Sequence, residues 1–361
     1  TGAVFCSALT TKTAVYALLR AFPGWEILVI AGVAMALYGL IYAVLSNDIR
    51  ELLSYHIISQ VGYMVTGVGL GTPLAINGAT AHAVCHILYK ALLFMGAGVV
   101  IHTTKRSKFT ELGGFLSRQR LTFSLYLIGA FSISGFPLWS GFVSKSMVVS
   151  STWDAQLDWA YLLLTLASVG TFLHTGLKLP YFTWMGPDRG IQPAPAPVNM
   201  HIGMAIAATL CTVIGVAPTV LYQFLPNAVD YQPYTAAHII ESVQLLLFTF
   251  FAFYLLTPSL GGERTVLMDT DVVYRKSAFW VRRIFLDGTA AFFEKASQVA
   301  ALIAETTSQA AQNPTHWLQT GKRTTGPFEP DRERKPLQEL LATTLFVFAC
   351  VAILSLYIWS N

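Results

Sequence analysis

Charge is what this sequence of 361 residues has least of. Only 12% of them are Asp, Glu, Lys or Arg, against roughly 25% in soluble domains. With 54% hydrophobic residues and a mean hydropathy of +0.55, a single soluble core is excluded and a polytopic membrane protein is indicated. Cysteine is scarce too. Cys6, Cys85, Cys211 and Cys350 lie in apolar segments without paired spacing, which excludes a disulfide framework or a cysteine metal site and reads as four buried thiols. A signal peptide, an initiator Met and any flavin, iron–sulfur or quinone motif are missing. Any redox chemistry would therefore belong to partners, no cofactor or metal is expected, and neither is a nucleic-acid partner. The first residues already read as membrane helix, so a segment is expected to precede them.

What is present is a series of apolar windows of about 20 residues, the length that crosses a bilayer. Nine are expected, over 1–21, 25–46, 51–71, 76–102, 121–150, 157–184, 200–224, 236–258 and 338–359. If they alternate, one side of the membrane holds 19 of the 23 Lys and Arg, and Arg20 is alone on the other. The rich side is cytoplasmic by the positive-inside rule. Eleven of the 19 lie in the 259–337 stretch. There Phe279, Ile284, Phe285, Phe292, Phe293, Val299 and Ile303 recur at near-helical spacing, with Gly288 expected to divide two helices. This amphipathic segment fits a helix on anionic lipid or a strut along neighbouring subunits.

Lys12, Lys90 and Lys145 fall inside membrane windows. A Lys at the bilayer centre costs about 2.5–3.5 kcal/mol, so three are expensive to keep without partners or purpose. Snorkelling is a poor explanation for Lys12 and Lys90, which lie near mid-helix, and a better one for Lys145. In "AHAVCHILYK" (81–90), His82, His86 and Lys90 stand four apart, twice. In a helix they form one polar line about 12 Å long, turning through about 80°. A metal pair, a satisfied structural network and a proton relay are the alternatives. Lys90 would repel an ion and no carboxylate joins, while His changes charge near neutral pH. The relay is preferred, with Lys90 able to join it where desolvation makes the neutral amine accessible.

In "SISGFPLWSGFVSKSMVV", Gly135, Pro137 and Gly141 interrupt the fifth window. Pro removes a donor and breaks the helix, and broken membrane helices mark ion sites in transporters. Lys145 follows the break by about two turns. A packing kink with a snorkelling Lys is the alternative. His56, about one turn into the third window, is a packed polar group or a relay member. His174 is a candidate on an exit path, Lys178 reads as interfacial, and Glu241 reads as a solvated carboxylate on the sparsely charged side.

"TKTAVYALLR", "DIRELLSYHIISQVGYM", "HAVCHILYKALLFMGAG" and "SISGFPLWSGFVSK" occur in this order. Together they resemble the antiporter-like subunits: the D and A subunits of Mrp-type cation/proton antiporters and the proton-channel subunits of complex I and membrane-bound hydrogenases. The resemblance is strong over 1–185 and holds in outline beyond. It implies an all-α fold with inverted five-helix repeats, each with a broken helix. Residues 1–24 would be the last helix of a first repeat and 25–185 a second repeat. Two further spans would follow over 186–258, then a cytoplasmic amphipathic segment over 259–337 and a final span over 338–361. It also implies relay roles: Lys12 joins two half-channels, Lys90 is central with His82 and His86, and Lys145 stands near an exit. A Lys rather than a Glu at 145, and "DTDVVYRK" (269–276), favour the D type.

The expected function is proton translocation within a multi-subunit Na+ or K+/proton antiporter of a bacterial inner membrane, with other membrane subunits as partners. The alternative is a proton-pumping subunit of a complex I-like NADH–quinone oxidoreductase or a membrane-bound hydrogenase. A scaffold with idle charges is a third reading.

Overall fold

The computed structural model describes residues 2–262, 269, 271–312 and 337–360. Residues 313–336 of the expected cytoplasmic segment, and Thr270 of "DTDVVYRK", lie outside the described residues. Among the described residues there are helices and loops but no strand, as expected of an all-α membrane protein. Two units are separable, Thr1–Leu267 and Met268–Asn361.

The first unit opens with α1 (Gly2–Phe5), a π-helical turn over Cys6–Thr10, and α2 (Thr11–Ala21). Next come α3 (Glu26–Leu45), α4 (Ile49–Leu70) and α5 (Pro73–Thr104). The chain continues through α6 (Arg120–Ser134), α7 (Ser140–Asp154), α8 (Asp158–Thr171), α9 (Val198–Val216), α10 (Thr219–Tyr222) and α11 (Ala236–Leu260). Caps set several ends. Asp48 accepts from the N–H groups of Arg50 and Glu51 to start α4, and Thr72 accepts from Ala75 N–H before Pro73 starts α5, both satisfying first-turn donors.

Six described helices are long and apolar enough to span a bilayer: Glu26–Leu45, Pro73–Thr104, Asp158–Met185, Val198–Val216, Ala236–Leu260 and Leu337–Tyr357. The other three expected windows are helical as well. Residues 2–21 are widened by the π turn, α4 carries a polar interior, and the fifth window is divided between α6 and α7. α5 is the central post, with most of one face fully buried from Ala75 to Val100. α3 and α4 approach most closely at glycine. A Cβ on Gly62 would stand 2.5 Å from the Gly32 carbonyl, so only glycine lets these backbones meet.

The division of the fifth window is abrupt. α6 ends at Gly135, which adopts a left-handed conformation with φ 77°, the usual glycine stop. Leu138 also has positive φ, and Pro137 lies between them. α7 then restarts at Ser140. The break therefore covers 135–139. Gly141 lies one residue inside α7, and a Cβ there would overlap the Ser132 carbonyl of α6. Its role is close approach of the two half-helices rather than interruption.

The second unit comprises α12 (Asp271–Val281), a π turn over Arg282–Asp287, α13 (Gly288–Gln312) and α14 (Leu337–Ser360). Gly288 does not divide two helices as expected. Its φ of −66° and ψ of −45° are helical, and the chain widens before it instead of stopping. An exposed glycine costs a helix only about 1 kcal/mol, which its neighbours absorb. Two of the four thiols also depart from expectation. Cys85 and Cys211 are buried, whereas Cys6 and Cys350 are exposed. A membrane helix is apolar on its outer face too, so apolar flanks do not report which way a thiol points.

Candidate functional site

Every polar side chain singled out in the membrane windows as a relay candidate is buried in the first unit. His56, His82, His86, Lys90 and His174 are 0% exposed, Lys145 3% and Lys12 8%. Such groups are kept only with partners or for use.

The π turn over Cys6–Thr10 precedes Lys12 and brings the Ser7 carbonyl within reach of its amine. Lys12 Nζ donates to Ser7 O at 2.9 Å and to Thr11 Oγ1 at 3.0 Å. Its third contact crosses to α5, where His86 Nδ1 lies 2.5 Å away. Lys12, which the resemblance makes the joint between two half-channels, thus has an imidazole partner 74 positions on. With Lys12 protonated, His86 Nδ1 is the acceptor and its proton sits on Nε2, which has no protein partner. One proton shift along the short contact moves the positive charge from α2 to α5.

One turn earlier on α5, His82 is held by two other helices. Its Nε2 lies 3.2 Å from Gln60 Oε1 of α4, and its Nδ1 lies 3.3 Å from Ser144 Oγ of α7. Gln60 in turn donates through Nε2 to Thr171 Oγ1 at 3.4 Å, which fixes its oxygen toward His82. With Gln60 Oε1 as the acceptor the His82 proton sits on Nε2, and Nδ1 then faces a Ser144 hydroxyl that itself donates to the Ser140 carbonyl at 3.0 Å. The His82 and His86 rings are 6.3 Å apart, too far for direct transfer and close enough for one bridging water.

Lys90 does not bond to His86. Its Nζ lies 3.3 Å from His56 Nδ1 of α4 and 5.4 Å from the Phe94 ring centre. The His56 ring meets the His174 ring edge-on at 4.8 Å, and His174 Nδ1 is 2.7 Å from Thr175 Oγ1. His174 lies in the π-helical stretch Phe172–Lys178; π turns concentrate at functional positions. In the same stretch, Lys178 is buried within the unit. It caps the end of α3, donating to Val44 O at 2.5 Å and Ser46 O at 3.0 Å. Free helix-end carbonyls favour a cation there.

Lys145 is the exception. The break places it about one and a half turns into α7, with Nζ 4.9 Å from the Tyr63 ring centre and no hydrogen-bond partner. It lines a cavity of about 100 Å³, room for several waters at about 10–15 Å³ of such volume each. Tyr161 of α8 and Glu241 of α11 line the same cavity. Glu241 accepts from the Tyr161 hydroxyl at 2.6 Å, so it is not a merely solvated carboxylate.

The structure thus gathers all seven relay candidates but pairs them differently from the helical line. His86 goes with Lys12, Lys90 with His56 and His174, and His82 with Gln60 and with Ser144, the residue before Lys145. Gln60, Ser144, Tyr161 and the role of Glu241 were missed. Amides and hydroxyls carry no spacing signal, and cross-helix partners are invisible in one window. His82 has both ring nitrogens engaged and His86 has one turned to Lys12. Among the described residues no group of three His, Cys, Asp or Glu side chains converges.

Residues 1–172 match the family model described as NADH:quinone oxidoreductase/Mrp antiporter, TM. The chain is 32% identical over 245 residues to the D subunit of the Na(+)/H(+) antiporter of Alkalihalophilus pseudofirmus, covering 63% of this chain and 48% of that protein. It is 30% identical over 202 residues to the NADH-ubiquinone oxidoreductase chain 5 of Podospora anserina, covering 53% of this chain and 30% of that one. Its fold resembles a chain of the Mrp complex from Dietzia sp., with a TM-score of 0.59 and 23% identity, over 97% of this chain and 36% of that chain. The chain spans half or less of the length of these relatives. The resemblance carried by the four motifs is borne out, since all four lie within the matched residues.

Proposed function

We propose that this chain, whose first 172 residues carry the membrane region of the antiporter-like subunits, is a proton-translocating subunit of a multi-subunit Na+ or K+/proton antiporter. It acts beside other membrane subunits in a bacterial inner membrane, with the 259–337 segment cytoplasmic. Residues 25–185 form the second five-helix repeat, and 1–24 the last helix of a first one. The antiporter reading is favoured over a redox-driven pump because the match to the antiporter's D subunit extends over more of this chain than the chain 5 match does.

The observation that carries the reading is the buried contact between Lys12 and His86. It joins the helix entering the repeat to the central helix by one short, proton-exchangeable bond. From His86 the proton passes to His82 across one water, then by Ser144 toward Lys145 and its cavity. Lys90, with His56 and His174, forms a branch toward the basic side, where Lys178 holds the end of α3. Each step needs only reprotonation of a side chain, with water carrying the proton where side chains do not touch. The break at 135–139 serves this path by delivering Ser144 and Lys145 to the line at a depth where a continuous helix would be sealed by its own backbone bonds.

The test is sodium- or potassium-driven pH change in vesicles holding the complete assembly. Lys90→Ala and Lys145→Ala are each expected to abolish it while assembly persists. Normal transport in both variants at normal expression would sink the relay.

A further inference from the structure

Glu241 lies far from the motifs that carry the relay, yet it shares a cavity with the one relay lysine that has no partner. Lys145 Nζ is buried and makes no hydrogen bond. Its surroundings mix hydroxyls with apolar side chains such as Phe142, Leu245 and Leu246. Ser134, Ser146, Ser150, Thr165, Ser168 and Ser242 line the same space. The ionisable groups around it are Lys145 of α7, Tyr161 of α8, and His238 and Glu241 of α11. Tyr231 reaches the rim through its contact with Ser150 at 3.3 Å.

These groups are not equivalent. His238 stacks on Phe142 at 4.6 Å, and its Nδ1 donates to Pro233 O at 2.7 Å, so it serves as a wall. Tyr161 donates its proton to Glu241. Glu241 is exposed on its other side. It therefore touches both the cavity holding Lys145 and the surrounding surface, and is the most exposed of the ionisable groups there. It stands one turn into α11, by the 223–235 loop on the sparsely charged side. There, on the side to which the alternating windows assign Arg20 alone, an exposed carboxylate attracts protons.

We propose that Glu241, held by the Tyr161 hydroxyl, is the proton-exchange group between the Lys145 cavity and the sparsely charged surface. This rests on the relay reading. A proton leaving the Lys145 ammonium passes through cavity water to a Glu241 carboxylate oxygen. It then leaves from that oxygen to a water or buffer molecule outside, and the reverse sequence operates for uptake. No bond other than O–H and N–H changes. Tyr161 keeps the carboxylate aimed inward and does not itself carry the proton.

The proposal is tested in vesicles holding the full assembly, by following proton flux in weak and in concentrated membrane-impermeant buffer on the sparsely charged side. Glu241→Gln is expected to slow flux about tenfold or more in weak buffer, as for loss of a positioned acid–base group. Concentrated buffer on that side restores it, and the same buffer on the other side does not. Glu241→Asp keeps most of the flux, and Tyr161→Phe slows it less and is relieved by the same buffer. Wild-type flux in Glu241→Gln would overturn the outlet and leave the relay standing. So would a loss that neither buffer nor Glu241→Asp relieves, which marks a structural role. Lys145→Ala, run alongside, is expected to be inactive in every buffer; full flux there would sink the relay itself and the outlet with it.

Discussion

Lys12 and Lys145 are buried in the same unit, and their surroundings are opposites. Lys12 meets three partners, two on its own segment and one across on α5. Lys145 has an aromatic ring beside it and a cavity before it, and no hydrogen bond at all. Both sites answer the cost of burying an amine, which is several kcal/mol for an isolated ion. The first answers with acceptors that hold a charge in place. The second leaves the amine free to give its proton to water. A relay needs both kinds of group: one end that stores charge beside a neighbouring helix and one end that releases it.

That contrast is broken most sharply at Lys145. Lys145→Arg keeps the charge and the ring contact but installs a guanidinium that does not deprotonate in proteins. If the free amine matters because it releases a proton, Lys145→Arg abolishes cation-driven pH change in vesicles as completely as Lys145→Ala does. If Lys145 only packs against Tyr63, Lys145→Arg transports. A smaller effect is expected between the two ends. Gln60→Leu removes the acceptor that holds the His82 proton on Nε2, so the ring loses its preferred tautomer. Flux is expected to fall about tenfold, less than the roughly 10²–10⁴-fold that loss of an acid–base group itself costs, with the amount of assembled complex unchanged. An unchanged rate would show that Ser144 alone orients the ring.

Much of this arrangement was legible in the sequence. The apolar windows follow from bilayer thickness, and the burial of Lys12, Lys90, His82 and His86 follows from their position within those windows. The break followed from Gly135 and Pro137, because backbone rules are local. The pairing was not legible. Four-residue spacing aligns His86 with Lys90 along α5, but long side chains choose partners by where neighbouring helices stand and which way each chain points. Lys12 thus reaches His86, and Lys90 turns to His56. Gly141 looked like part of the break because glycine reads the same whether it ends a helix or lets two backbones touch. The burial of Lys178 was not legible because the carbonyls it meets belong to the end of α3, about 130 residues earlier in the chain.

The claim that these groups form one connected path rests most directly on the Lys12–His86 contact. It is tested by proton flux through the assembled complex bearing Lys12→Ala, His86→Ala and both together. Residues acting as one unit give strongly non-additive losses. The double variant is then expected to be no slower than the slower single variant. Two losses that multiply would mean that Lys12 and His86 act independently, and the path drawn through them would be wrong.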